Sequence, residues 1–365
     1  MRWNLSQILP LVTTSFTALA SVAHADDAQT RNLENRVTAL EQRKGASGMI
    51  NPQGRPQIKD GADLFLFGDL LYWNAHENGL NYAVEKEGDL NNLDDAEVKN
   101  IHGKWNFGFR AGIGYNTPHD GWDLRLTWLR FMDNGGRKAK NKDGLYPIMA
   151  SASDTFLSDA TAAKARSRWN VNLNQIDLDL GREFFVSKWL TMRPHVGVRT
   201  DWIHQKWTGK YSHFISSLAS GSAMDVKFKD HWYGIGLEGG LDTQWGLGNG
   251  WSIFGNLTTA ILYGFHDLKL DEETKNRGVE TDFADLEQTY RVSHPILDLQ
   301  MGLRWDNMFD GDRYHLGVQI GWEHHIYFSQ NQFQKFYDNL RAGSFVSNQG
   351  DLTFQGWTFS ARFDF

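Results

Sequence analysis

Trp357-Thr358-Phe359-Ser360-Ala361-Arg362-Phe363-Asp364-Phe365 decides how this chain is read. Every second residue from Trp357 is apolar, and all of these except Ala361 are aromatic. Thr358, Ser360, Arg362 and Asp364 alternate with them. Period-two alternation gives a strand one apolar and one polar face. An aromatic stripe opposite charged residues, ending on Phe365, has the form of the closing strand of an outer-membrane β-barrel. Trp357, Phe359, Phe363 and Phe365 are then expected to form the signal such barrels present to the barrel-assembly machinery.

The same alternation recurs upstream. In Trp105 to Tyr115 the odd positions are Trp, Phe, Phe, Ala, Ile and Tyr, and the even ones Asn, Gly, Arg, Gly and Gly. Leu124, Leu126 and Trp128 share one face of the next strand. Strands are predicted over 62–73, 104–116, 122–133, 169–183, 190–206, 229–246, 251–266, 290–306, 313–328 and 352–365. Their apolar faces tend to end in Trp or Tyr, as in the aromatic girdles of membrane barrels. Short connections, such as Thr117–Gly121 and Gly246–Gly250, alternate with long polar ones near 74–103, 134–168, 207–228, 267–289 and 329–351. That rhythm matches short periplasmic turns and long extracellular loops. The expected fold is all-β, a transmembrane antiparallel barrel of 10–12 strands, the upper count holding if Gly79–Glu85 adds a hairpin.

The other end of the chain points to export. Arg2, an apolar stretch from Ile8 to Ala23, and Ala23-His24-Ala25 before Asp26 follow the plan of a cleaved signal peptide over 1–25. Residues 26–44 read as a short periplasmic helix, with Thr30, Leu33, Val37 and Leu40 on heptad positions that could form a trimeric coiled coil. Gly45 to Gly61 reads as a linker, and 62–365 as the barrel. Beyond the signal no run of about 18 apolar residues offers a membrane helix.

Composition narrows the function. There are 15 Trp, 36 Gly, 7 Pro and no Cys, with a net charge of −7. No Cys means no disulfide, thiolate metal site or thiol nucleophile. No basic tract suggests a nucleic-acid partner. The residues opposite the apolar stripes should face a lumen. Arg110, Arg125, Arg193, Arg199, Asp201, Glu238, Arg304 and Glu323 are the candidate pore-lining residues, and inward glycines such as Gly112, Gly114 and Gly236 are expected to leave space. A lumen plugged by its own salt bridges is the competing expectation for so small a barrel. Catalytic signals are weak, no metal or cofactor is expected, and the chain is not expected to be an enzyme. His324-His325 alternates faces and is read as a surface aromatic pair; Asp201 with His204, or Asp267 with His266, are the pairs a mouth-located protease would need. The acidic stretch Asp267 to Glu287 is read as a solvated loop.

Phe67-Gly68-Asp69-Leu70-Leu71-Tyr72-Trp73, then Glu77 to Ala83, Arg193 to Arg199, and Trp202-Ile203-His204-Gln205 resemble the Legionella-type pore-forming major outer-membrane protein family, which also has members in environmental chlamydiae. The resemblance implies an abundant surface porin for small hydrophilic solutes that can meet host cells. The absence of Cys departs from the disulfide-linked envelope of the chlamydial major protein. The sequence therefore predicts a porin in outer-membrane lipid, assembled as a homotrimer. The alternatives are a closed barrel serving as adhesin or anchor and, behind it, an outer-membrane protease.

Overall fold

A computed structural model describes residues 51–86, 96–118, 120–149, 161–215, 222–276, 278–336, 345–347 and 350–365. The expected signal peptide and the helix over 26–44 lie outside them. Among the described residues ten staves make the wall: β1 Leu64–Glu77, β2 Trp105–Asn116, β3 Trp122–Pro147, β4 Ala162–Arg182, β5 Leu190–Phe214, β6 Ala223–Gly248, β7 Trp251–Asn276, β8 Val279–Phe309, β9 Tyr314–Asn331 and β10 Gly350–Asp364. Each pairs antiparallel with its sequence neighbours, and β10 returns to β1 with Phe65 opposite Asp364 and Glu77 opposite Leu352. The sheet is a closed barrel, so these staves leave no open edge.

The predicted count of ten holds, and the twelve-strand variant does not. Asn81–Lys86 does form a hairpin with Ala96–Asn100, but it docks on Leu145–Pro147 at the outer end of β3. β1 pairs directly with β2 beneath it, so no stave is inserted. Outside the barrel wall, Lys99 lies 2.5 Å from Glu85 and 2.7 Å from Glu97, and those carboxylates raise its pKa.

Parity decides which way each side chain points. Leu66, Leu70, Phe109, Ile113, Leu178 and Leu237 stand on the exterior, with Phe107 68% and Leu237 73% exposed. So continuous an apolar surface belongs in lipid rather than water. Tyr115, Trp122, Trp245, Trp251 and Tyr314 rim the belt near the short turns, and Trp105, Trp128, Tyr233, Tyr263 and Trp357 rim it on the long-loop side. The turn Gly248-Asn249-Gly250 is tight because all three residues have positive φ, at 99°, 54° and 81°.

Several staves run far past the belt. β7 and β8 continue as one ladder through Lys269↔Glu287 to Asn276↔Val279, where a long loop is expected from sequence. The acidic stretch there is therefore strand. Outside the girdle the outward face becomes charged, so the apolar stripe ends while the backbone pairing goes on. Lys269 pairs with Glu287, Lys275 with Glu280 at 2.6 Å, and Lys227 with Glu273 at 2.9 Å. The described end of the linker is ordered against the short turns: Gly54 N–H donates to Glu183 O (3.0 Å) and Lys59 N–H to Asp312 O (2.9 Å).

Candidate functional site: the lumen

All eight predicted pore-lining residues point inward and are buried or half-buried. Near the short turns, Arg304 donates through Nε to both oxygens of Asp306 (2.9 Å). His315 bridges Asp306 (3.0 Å) and Asp364 (2.7 Å), and Arg362 reaches Asp364 at 2.6 Å. The Arg362 guanidinium sits 3.8 Å from the Phe65 ring centroid. On the facing wall, Arg193 donates to Asp123 (2.5 Å) and Asp179, and to Asp242 at 3.3 Å, which also takes Arg125 at 3.5 Å.

Deeper in, one chain of charges crosses the lumen. Arg199 engages Asp177 (2.9 Å), Glu238 (3.0 Å) and Asp298 (2.6 Å). His325 joins Asp298 (2.8 Å) to Glu323 (2.9 Å), and Arg110 joins Glu323 to Asp69, both at 2.7 Å. The residues come from β4, β5, β6, β8, β9, β2 and β1, and only barrel closure brings them together. The cavity among these groups is about 250 Å³ and is lined by six arginines and eight carboxylates.

Above this layer the lumen is closed by rings. Trp73 lies tilted against His325 (4.7 Å) and Phe131 (5.6 Å), and Phe354 meets Phe131 (5.7 Å) and Tyr327 (5.9 Å) edge-on. Tyr327 Oη donates to Asp201 at 3.0 Å, which places Asp201 in the stopper rather than in the charged layer. Farther out, Phe333 from the β9–β10 connection packs on Trp207 and Phe228, at 5.7 Å from each. The seven Trp, Tyr and Phe rings are at most 2% exposed.

Two expectations need correcting. Inward glycines do not open the lumen. A Cβ on Gly112 would stand 2.2 Å from the Phe67 ring and one on Gly114 2.0 Å from that of Phe65, so these glycines seat large inward rings. His324-His325 is not a surface pair either, because His325 turns inward and bridges two carboxylates. Among the other histidine pairs, Asp201 is buried while His204 is exposed, and His266 is buried beside an outward Asp267. His266 instead pairs with Asp230 and His294, at 2.8 Å each. Among the described residues no group of three or more His, Cys, Asp or Glu side chains is arranged to hold a metal ion.

Sequence reasoning missed as site residues Asp69, Asp177, Asp179, Asp306, His315, His325 and Asp364, together with the stopper. Parity alone marks Asp177 and Asp179, which alternate with outward Ile176, Leu178 and Leu180. Trp357, Phe359 and Phe363 lie on the lipid-facing exterior of β10, and Phe365 stacks on Phe363 at 5.9 Å.

Residues 61–365 match the family model described as Legionella pneumophila major outer membrane protein precursor. No curated protein matches the chain. Among solved structures, the toluene transporter TodX of P. putida is similar at 9% identity and a TM-score of 0.28, over 84% of this chain and 91% of that one. A major outer membrane protein from Thermus thermophilus is similar at 10% identity and a TM-score of 0.27, over 83% and 99%. The translocator domain of autotransporter NalP from Neisseria meningitidis gives 12% and 0.28, over 96% and 99%. With TM-scores this low, the fold rests on this barrel's own strand pairing.

Proposed function

We propose, for a chain that belongs to the Legionella pneumophila major outer membrane protein family and resides in the outer membrane, that it passes ions and small hydrophilic solutes through a lumen closed at rest by its aromatic stopper. The observation that carries this reading is the charge at membrane depth. Six arginines and eight carboxylates line the cavity, although apolar side chains would fill a sealed barrel at lower desolvation cost. Ionisable groups placed at such depth most often mark a path for solute. Even with His325, held between Asp298 and Glu323, counted as a cation, the eight carboxylates outnumber the cations, which favours cations over anions.

The mechanism has two parts. The ion-pair chain from Asp177 to Asp69 replaces the hydration of a small cation with fixed oxygens. Rotation of Trp73, Phe131, Tyr327 and Phe354 away from the axis opens the way outward. Efflux from vesicles tests the reading: potassium should leave proteoliposomes faster than chloride, and a large oligosaccharide should stay inside. Equal retention of all three by a folded barrel would count against it.

A second reading, a closed barrel acting as adhesin or anchor for host-cell contact, is favoured by the stopper itself. It predicts no flux even after the rings are removed. A protease has less support, because Asp201 and His204 lie on opposite faces of β5; we propose no catalysis. Homotrimer formation through 26–44 and recognition of the Trp357, Phe359, Phe363 and Phe365 stripe by the assembly machinery belong to the same proposal. Triplet conductance steps test the trimer.

A further inference from the structure

Outside the aromatic girdle, the exteriors of β3, β4, β5 and β6 carry an accumulation of cations that nothing in the lumen uses. Lys138 stands opposite Arg166 across β3–β4, and Arg166 opposite Lys210 across β4–β5. Lys140 faces Lys164, and Lys206 faces Lys229. Like charges directly opposite one another destabilise an antiparallel pair. Of these side chains only Lys210 has an ion-pair partner among the described residues, Asp225. From Lys227 on β6 onward, through β7–β8, the charges are carried differently: Lys227, Lys269 and Lys275 are each paired with a carboxylate.

The basic flank also has a shape. Lys104, Arg137, Lys138, Arg166 and Arg168 surround a depression of about 440 Å³ whose floor includes Gly135 and Gly136. Gly136 adds no side chain to fill it, and a Cβ there would already lie 3.3 Å from Ser167 O. Height fixes the kind of partner. On β5, Lys206 follows by four positions Trp202, which meets the girdle residue Tyr233 at 5.6 Å. On β4, Arg168 lies eight positions beyond the apolar Ile176. At about 3.4 Å per residue and a tilt of about 40°, Lys206 and Arg168 stand roughly 10–20 Å above the last outward apolar residues of their strands, and Arg166, two positions farther, about 5 Å higher. In the outer leaflet of a Gram-negative outer membrane that is the level of the phosphates and acidic sugars of lipopolysaccharide.

We propose that the exterior of β3–β6 is a docking site for lipopolysaccharide, with Arg166, Arg168 and Lys138 holding its inner-core phosphates. Two planar guanidiniums two residues apart on one strand face present parallel N–H pairs suited to phosphate oxygens. Lys206 and Lys229 extend the contact toward the girdle. The exposed position makes the attraction salt-sensitive.

The refolded full chain in detergent tests this with purified rough lipopolysaccharide, its enzymatically dephosphorylated form, and inorganic phosphate. The triple variant Arg166→Gln, Arg168→Gln, Lys138→Gln lies outside the lipid belt; heat-modifiable migration checks that it is folded. Basic residues near an anionic surface contribute about fivefold each, so the triple variant should bind the phosphorylated lipid about a hundredfold more weakly. Lys275→Gln, on the paired flank, should bind like the unaltered chain. Phosphate-dependent binding lost in the triple variant supports the site. Equal binding of both lipid forms, or of the triple variant and the unaltered chain, overturns it. Binding of inorganic phosphate as tight as that of the lipid would mean a simple anion site and also overturns it. So would unchanged lipid binding with a changed oligomeric state, which would assign the flank to a second copy of the chain.

Discussion

Replacing Arg199 by Met removes the central cation of the lumen while keeping most of its volume. Three carboxylates surround it: Asp177 at 2.9 Å, Glu238 at 3.0 Å and Asp298 at 2.6 Å. At an effective dielectric constant of about 20, a charge pair about 4 Å apart is worth about 4 kcal/mol. Much of the gross attraction is offset by the cost of burying the guanidinium, since Arg199 is only 4% exposed. What the variant loses is compensation for carboxylates that stay buried, and breaking such a cluster costs about 3–5 kcal/mol. Urea-dependent folding into thin-bilayer vesicles, followed by tryptophan fluorescence, reads this as a lower midpoint at unchanged slope. Adding Asp298→Asn to Arg199→Met should recover at least about 1 kcal/mol, because one uncompensated charge is gone. A single variant within about 1 kcal/mol of the unaltered chain would refute the reasoning, because the carboxylates would then be solvated by water in an open lumen.

Other consequences are open to measurement. Arg110→Glu places a third carboxylate beside Asp69 and Glu323 and should move the reversal potential further toward the cation limit; unchanged selectivity here and in Arg199→Glu would contradict the assigned lumen face. Gly236→Val should lower folding stability by about 1–3 kcal/mol through overpacking, because even a Cβ there would stand 1.9 Å from Ile261 O, whereas Gly68→Val, with nothing within 4 Å, should fold normally. Phe131→Ala with Phe354→Ala should cost about 3–5 kcal/mol per ring and raise conductance if the stopper is the gate, read by the same folding assay and by ion flux.

The wall of the barrel was legible because lipid imposes strict parity. Trp105 to Tyr115 and Trp357 to Phe365 could be assigned to faces residue by residue, and the turn at Gly248–Gly250 was readable from its glycines. Parity also placed Arg110, Arg193 and Arg199 in the lumen. It failed where both faces are apolar. In β1, Leu71, Trp73 and Ala75 point inward between Leu70, Tyr72 and Asn74, so the stopper was hidden beneath a girdle. It failed again beyond the belt, where outward Lys269 and Asp271 with inward Leu268 and Leu270 look like a polar loop rather than a strand. The partners of Arg199 lie up to 99 residues away in sequence, and only closure of the ring brings Asp298 to it. The glycines misled because the space one leaves is filled by a ring from the neighbouring stave, as Phe67 fills that of Gly112.

Single-channel recording of the unaltered chain and of Phe131→Ala, Phe354→Ala in a planar bilayer under a salt gradient tests the central claim most directly. A charge-lined lumen with an aromatic gate predicts brief, small, cation-selective openings that become long and larger when the rings are removed. A double variant that is folded by heat-modifiable migration yet electrically silent would contradict it and leave the closed barrel as the account of this protein.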